Sequence, residues 1–133
     1  MSTSIIGTWR LAKGSATFDD DTPAPPPYGG EKPMGQLTLD ADGRMMAVLC
    51  DGRPGLAGGE VREYSSYCGN YTFDGKRLVT RVDDATSDPG RLSGEQIRAV
   101  SFENGYMVFR HTTRGADGRH VHREMSWEKI SDV

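Results

Sequence analysis

The chain has 133 residues, 26% of them charged, and a formal net charge of −3 from 16 basic and 19 acidic side chains. That length suits one domain, 1–133, with a single core, and 17 glycines with 7 prolines favour turns over long helices. No window is apolar enough to suggest a membrane span, and the mixed charges lack the basic face that nucleic-acid binding needs.

Ile5 to Lys13 reads as the first strand, with Ile5, Gly7, Trp9 and Leu11 on one face. Gly14 to Gly35 reads as a long loop, because Pro25-Pro26-Pro27 cannot join a ladder and favours an extended, polyproline-like path. Tyr28 and Met34 give that loop apolar anchors for a lid over one end, the alternative being a solvated connector. Gln36–Asp40 and Arg44–Cys50 read as strands joined at Asp40-Ala41-Asp42-Gly43. A glycine-rich loop, Asp51–Gly59, leads into Glu60–Ser66, which reads as one or two helical turns.

Tyr67 to Phe73 alternates cleanly, and Asp74-Gly75 turns the chain into Arg77–Asp84. A loop over Ala85–Gly94 precedes Glu95–Glu103. Asn104-Gly105 is the strongest hairpin signal in the chain and leads into Tyr106–Thr113. Gly115-Ala116-Asp117-Gly118 then turns into the last strand, Arg119–Ile130. Eight short strands with hairpin connections predict an all-β, antiparallel up-and-down barrel, with a sandwich as the competitor. Trp9 near one end and Trp127 near the other tilt the balance, because paired first and last strands would close the sheet and remove its edges.

Several segments resemble a known family. Gly7-Thr8-Trp9 resembles the first-strand motif of lipocalins and the wider calycin superfamily, in which a basic residue of the last strand packs across the tryptophan. Lys129 matches that position, within Trp127-Glu128-Lys129. The run Pro27-Tyr28-Gly29-Gly30-Glu31-Lys32-Pro33-Met34-Gly35-Gln36-Leu37 is similar to the bacterial lipocalin-like domain family. So are Asp42-Gly43-Arg44-Met45, Tyr67-Cys68-Gly69-Asn70-Tyr71 and Gln96-Ile97-Arg98. The resemblance implies a lipocalin-like barrel in which Trp9, Trp127 and Lys129 close one end. Two departures stand out: Thr80-Arg81 occupies the place where the family often carries histidine, and Lys129 replaces its more usual arginine, losing the planar fork.

Strand parity predicts an inward set. With Trp9, Tyr71 and Trp127 pointing in, Leu37, Leu39, Met45, Ala47, Leu49, Tyr67, Phe73, Leu78, Thr80 and Val82 should follow. Gln96, Arg98, Val100, Phe102, Met107, Phe109, His111, Arg123 and Met125 complete it. The composition is that of a small-molecule pocket, apolar with a few polar groups. The set contains no carboxylate, so a ligand carboxylate or phosphate is expected to pair with Arg98 and Arg123, steadied by Tyr67 or Tyr71. In the competing reading a bulge shifts the register, and both arginines reach solvent or loop carbonyls.

By the same parity His111 faces in, while His120 and His122 face out with Glu124, which favours surface histidines over a zinc site. Asp19-Asp20-Asp21 reads as solvated. No nucleophile elbow, phosphate-binding glycine loop or His-Glu-x-x-His sequence is present, and neither metal nor cofactor is expected. Cys50 and Cys68 are expected to be free thiols rather than a disulfide. Met1 to Ser4 lead into Ile5-Ile6 without the regions of a signal peptide, so a cytoplasmic location is expected.

The leading expectation is a module that binds a small hydrophobic or amphipathic molecule, with Tyr67, Tyr71, Gln96, Arg98, Arg123, Met45, Phe109, His111 and Tyr28 around it. The runner-up is a cofactor-independent isomerase or cyclase using the same tyrosines and Arg98 as hydrogen-bond or general-acid groups. A third reading is a barrel filled by its own side chains, with function in its loops or in a homodimer.

Overall fold

The computed structural model describes residues 4–85, 94–115 and 117–132. They form eight strands: β1 (Gly7–Phe18), β2 (Pro33–Leu39), β3 (Arg44–Asp51), β4 (Tyr64–Phe73), β5 (Arg77–Ala85), β6 (Glu95–Glu103), β7 (Tyr106–Arg114) and β8 (His120–Ser131). A short 3-10 turn, Pro27–Gly29, lies between β1 and β2. Each strand pairs antiparallel with the next, and β8 returns to β1, closing an up-and-down barrel. Among the described residues no helix is long and apolar enough to cross a membrane. Residues 86–93 of the loop expected between Ala85 and Gly94, and Ala116 of the last turn, lie outside the described residues.

Local chemistry explains the hairpins. Asn104 and Gly105 both take positive φ, 53° and 85°, as the tight turn between two right-twisted strands requires. Gly7 opens β1 at φ 141°, with Lys129 Cε 2.7 Å from where a Cβ would stand and the Ser131 carbonyl closer still. Glycine in Gly7-Thr8-Trp9 thus lets the first and last strands approach each other.

The inward face is apolar toward the end that carries the β2–β3, β4–β5 and β6–β7 hairpins, called the floor below. There Trp9, Leu37, Leu39, Met45, Leu78, Met107, Phe109 and Trp127 form one buried cluster, with Trp127 only 1% exposed. Phe109 and Trp127 pack as tilted rings with centroids 5.8 Å apart. Burying such side chains stabilises by roughly 1.5–3 kcal/mol each relative to exposure.

Five expectations need correction. β1 does not end at Lys13 but continues to Phe18, because Gly14 to Phe18 go on pairing with Met125 to Val121 past a bulge at Ala12, an extra residue between the Leu11–Trp127 and Lys13–Ser126 pairs. That bulge reverses parity, so Gly14 and Ala16 face in where simple alternation would point Lys13 and Ser15 inward. β2 starts at Pro33, ahead of Gln36, and β4 starts at Tyr64, so Glu60–Ser66 holds no helical turn. Met34 is not a lid anchor: it lies on β2 opposite Cys50, 60% exposed on the outer wall. Phe102 pairs with the inward Met107 but is 39% exposed, since it stands at the rim beside the β6–β7 hairpin.

Candidate functional site

At the floor, Lys129 stands opposite Trp9 in the β1–β8 ladder, and its Nζ lies 5.3 Å from the Trp9 ring centroid. The Trp9 indole N–H donates to the Ile5 carbonyl at 2.9 Å. The buried Trp127 indole N–H has no hydrogen-bond partner among the described residues. Met45 and Phe109 are wholly within this packing. Tyr71 faces in, but its hydroxyl donates to the Asp40 carbonyl at 2.6 Å, in the β2–β3 hairpin. Burial raises its phenol above the ordinary range. Tyr71 therefore belongs to the floor, away from the arginines.

The other end, formed by the β1–β2, β3–β4 and β7–β8 connections, sets polar groups inside beside a small apolar cluster of Ala16, Ala24 and Val121. His111 pairs with Arg123 on the inward face, and Arg98 stands one residue beyond the Ala99–Arg110 pair on that same face. Arg98, His111 and Arg123 thus form a line across β6, β7 and β8, with Gln96, Thr80 and Ser65 buried nearby on inward positions. Tyr67 is half-buried on the same side of β4. Arg98 donates to the Ile97 carbonyl at 3.0 Å and to Gln96 Oε1 at 3.3 Å, so part of its fork is turned back on its own strand.

The ladder between β6 and β7 runs only from Ala99–Arg110 to Glu103–Tyr106. Beyond it Gln96 and Arg98 belong to strand residues paired with β5, while His111 to Arg114 pair with β8. The wall is therefore least continuous where the basic line crosses it.

The inward positions named from the sequence carry no carboxylate, but a connection supplies one. Glu63, from the connection before β4, accepts from an Arg123 terminal nitrogen at 3.0 Å and from the Tyr28 backbone N–H at 2.8 Å. Tyr28 is buried in the main cluster, at left-handed φ 51° and ψ 42°, with the Arg123 guanidinium 5.7 Å from its ring centroid. The proline-rich connection thus supplies an aromatic plug, tied through Glu63 to β8. Sequence parity could not find Glu63, because loop residues follow no parity.

Two clefts meet at Arg123. One of about 420 Å³ lies between the β7–β8 hairpin and the β1–β2 connection, with Phe18, Pro25, Thr113, Val121 and Arg119 around Arg123. The Arg119 guanidinium stacks 3.7 Å above the Phe18 ring there. The other, about 400 Å³, is more polar, with Arg110, Thr112, His122 and Glu124 among its lining.

Beside the site, Asp51 is buried and held by Arg53 through its backbone N–H at 3.0 Å and its guanidinium at 2.6 Å. That pairing pushes its carboxyl down to about 2. The Arg62 guanidinium caps the same corner, donating to the Asp51 and Arg53 carbonyls at 2.7 and 2.6 Å. These bonds fix the β3–β4 connection from which Glu63 projects.

The histidines do not converge. His111 faces in, while His120 and His122 face out and share Asp19, at 3.5 and 2.6 Å. Asp19 is thus exposed but also hydrogen-bonded, and the His122 hydrogen bond holds its carboxyl below the usual range. Among the described residues no group of three or more His, Cys, Asp or Glu side chains is placed to hold a metal ion. Cys50 and Cys68 are free thiols. Burial and the neighbouring Asp83 push the Cys68 thiol up, which makes it a poor nucleophile.

No family model matches the chain, and no curated protein matches it. Geometry and chemistry alone therefore bear on function.

Proposed function

We propose that this barrel binds a small, largely apolar molecule carrying one anionic group, taken up at the end opposite the Trp9–Lys129 floor. The observation that carries this reading is the inward line of Arg98, His111 and Arg123 above an apolar interior. Guanidinium groups are costly to withdraw from water, and their fork matches carboxylate, sulfonate or phosphate oxygens. The cleft at Arg123 adds apolar walls from Phe18, Pro25 and Val121, the combination an amphipathic ligand requires.

We also infer that the barrel is lipocalin-like. Eight strands in sequential order, Gly7-Thr8-Trp9 at the start of β1 and the Lys129 ammonium over Trp9 all support that reading. Two free cysteines support a reducing, cytoplasmic setting.

Titration with phenylnaphthylamine, a neutral apolar fluorophore, and with anilinonaphthalene sulfonate, its anionic relative, tests the binding reading. Energy transfer from Trp9 and Trp127 reports entry. Saturable one-to-one binding is expected for both, and Arg98→Met should weaken the sulfonate more than the neutral probe. Absence of saturable binding by either probe overturns the proposal.

A further inference from the structure

We propose that Glu63 is a built-in occupant of the anion position at Arg123, and that the anionic head of an amphipathic ligand displaces it and releases the Tyr28 turn. This rests on the binding reading above and adds how that site is regulated.

One carboxylate joins two elements distant in sequence: Oε2 accepts from Arg123 on β8 at 3.0 Å, and Oε1 accepts from the Tyr28 N–H at 2.8 Å. The members of the ion pair are unequally fixed. The Arg123 side chain is 22% exposed on a paired strand, whereas that of Glu63 is 42% exposed on a connection. The carboxylate is therefore the replaceable partner, because it regains water on leaving while Arg123 stays at the cleft. A ligand sulfonate or carboxylate offers the same oxygens to the same guanidinium, and its apolar body gains the walls of Phe18, Pro25 and Val121.

The second half of the device is Tyr28. A tyrosine at φ 51° and ψ 42° occupies the left-handed region, which disfavours a residue with a Cβ. Its N–H to Glu63 and its buried ring help to hold it there, together with the Gly14 N–H that donates to the Gly30 carbonyl at 2.8 Å. Pro25, Pro26 and Pro27 make the preceding segment stiff, and Pro26 is extended at φ −72° and ψ 149°. Losing the Glu63 acceptor removes one restraint on a conformation that is costly in itself. Anion binding and withdrawal of the plug are thus one event: the ligand head takes Arg123, Glu63 leaves, and the Tyr28 turn can lift from the barrel. Apolar molecules without an anionic head do not compete for Arg123 and leave the latch closed.

The test compares anilinonaphthalene sulfonate with neutral phenylnaphthylamine on the intact chain. Glu63→Gln keeps an amide oxygen for the Tyr28 N–H but surrenders the charge. It should tighten sulfonate binding about tenfold or more, the scale of a charge pair at a partly desolvated site, and leave the neutral probe within about twofold. Arg123→Met should abolish the preference for the sulfonate. In the unaltered protein, saturating sulfonate should accelerate hydrogen exchange at the Tyr28 amide while phenylnaphthylamine leaves it unchanged, a readout independent of any variant's folding. Both probes binding with the sulfonate-to-neutral affinity ratio unmoved by Glu63→Gln, or with Tyr28 exchange unmoved by the sulfonate, overturns the latch but spares the binding reading. Neither probe binding overturns both.

Discussion

At the floor of the barrel Trp9, Leu39, Met107 and Trp127 pack against one another, and the cation that approaches them, Lys129, stands over the Trp9 ring and pairs with Asp132 at 3.1 Å. At the loop end Arg98, His111 and Arg123 face inward among Gln96, Tyr67 and Thr80, and a carboxylate from a connection completes the pairing. Both ends come from the same strands, with bulges shifting the alternation between them. The floor is made by strand side chains and tight hairpins, so its stability is local and dense. The loop end depends in part on groups delivered from irregular segments, Glu63 and Tyr28, which lie outside the ladders.

The contrast can be broken most sharply at the floor. Trp127→Ala should destabilise by about 3–5 kcal/mol, the range for deleting a fully buried large aromatic, read as a lower urea midpoint at unchanged slope. At the loop end Tyr28→Ala should cost less, about 2 kcal/mol, because the cavity opens at the rim and alanine relaxes more readily there. If Tyr28→Ala proves the costlier, the loop end carries more of the core's stability than the floor and the division between the ends fails.

Acid probes both ends together. The Arg53 hydrogen bond pushes Asp51 down to about 2 beside the loop end, and Arg110 does the same for Glu103 at the β6–β7 hairpin. A depressed carboxyl stabilises the fold above its unfolded pKa near 4, and that contribution is lost as pH falls toward 2. Thermal midpoints should therefore drop across that window, and Asp51→Asn or Glu103→Gln should each flatten the drop. A slope unchanged in both variants would show that other groups govern acid unfolding. The smallest effect is expected for Lys129→Met, about 0.5–1 kcal/mol, since a partly exposed cation over a ring contributes little more.

The floor was legible because its signals are periodic. Trp9, Leu37, Ala47 and Trp127 sit where alternation puts them, and Asn104-Gly105 declares its own turn. Arg98, His111 and Arg123 were legible as inward-facing for the same reason. Glu63 was not, because its place depends on how Arg53 and Arg62 fold the connection around Asp51. The second half of β1 was hidden by the extra residue at Ala12, which reverses alternation without any proline or glycine beside it. Tyr71 was rightly placed inward, but the Asp40 carbonyl that takes up its hydroxyl is a property of the folded hairpin. Periodicity reports strands; loop geometry arises from tertiary bonds.

The β1–β8 seam has a kinetic consequence. Every other ladder joins neighbours in the chain, whereas Arg10 and Glu128, bonded at 2.6 Å, are 118 positions apart. Closing so long a loop costs about 2 kcal/mol more entropy than closing a hairpin of about ten residues. The meander from β2 to β7 should therefore assemble first, with the seam forming after the rate-limiting barrier. Leu11→Ala, on the seam, should then speed unfolding while leaving the refolding rate nearly unchanged, whereas Leu78→Ala, within the meander, should slow refolding. The lifetime of the closed barrel is set where its two ends meet.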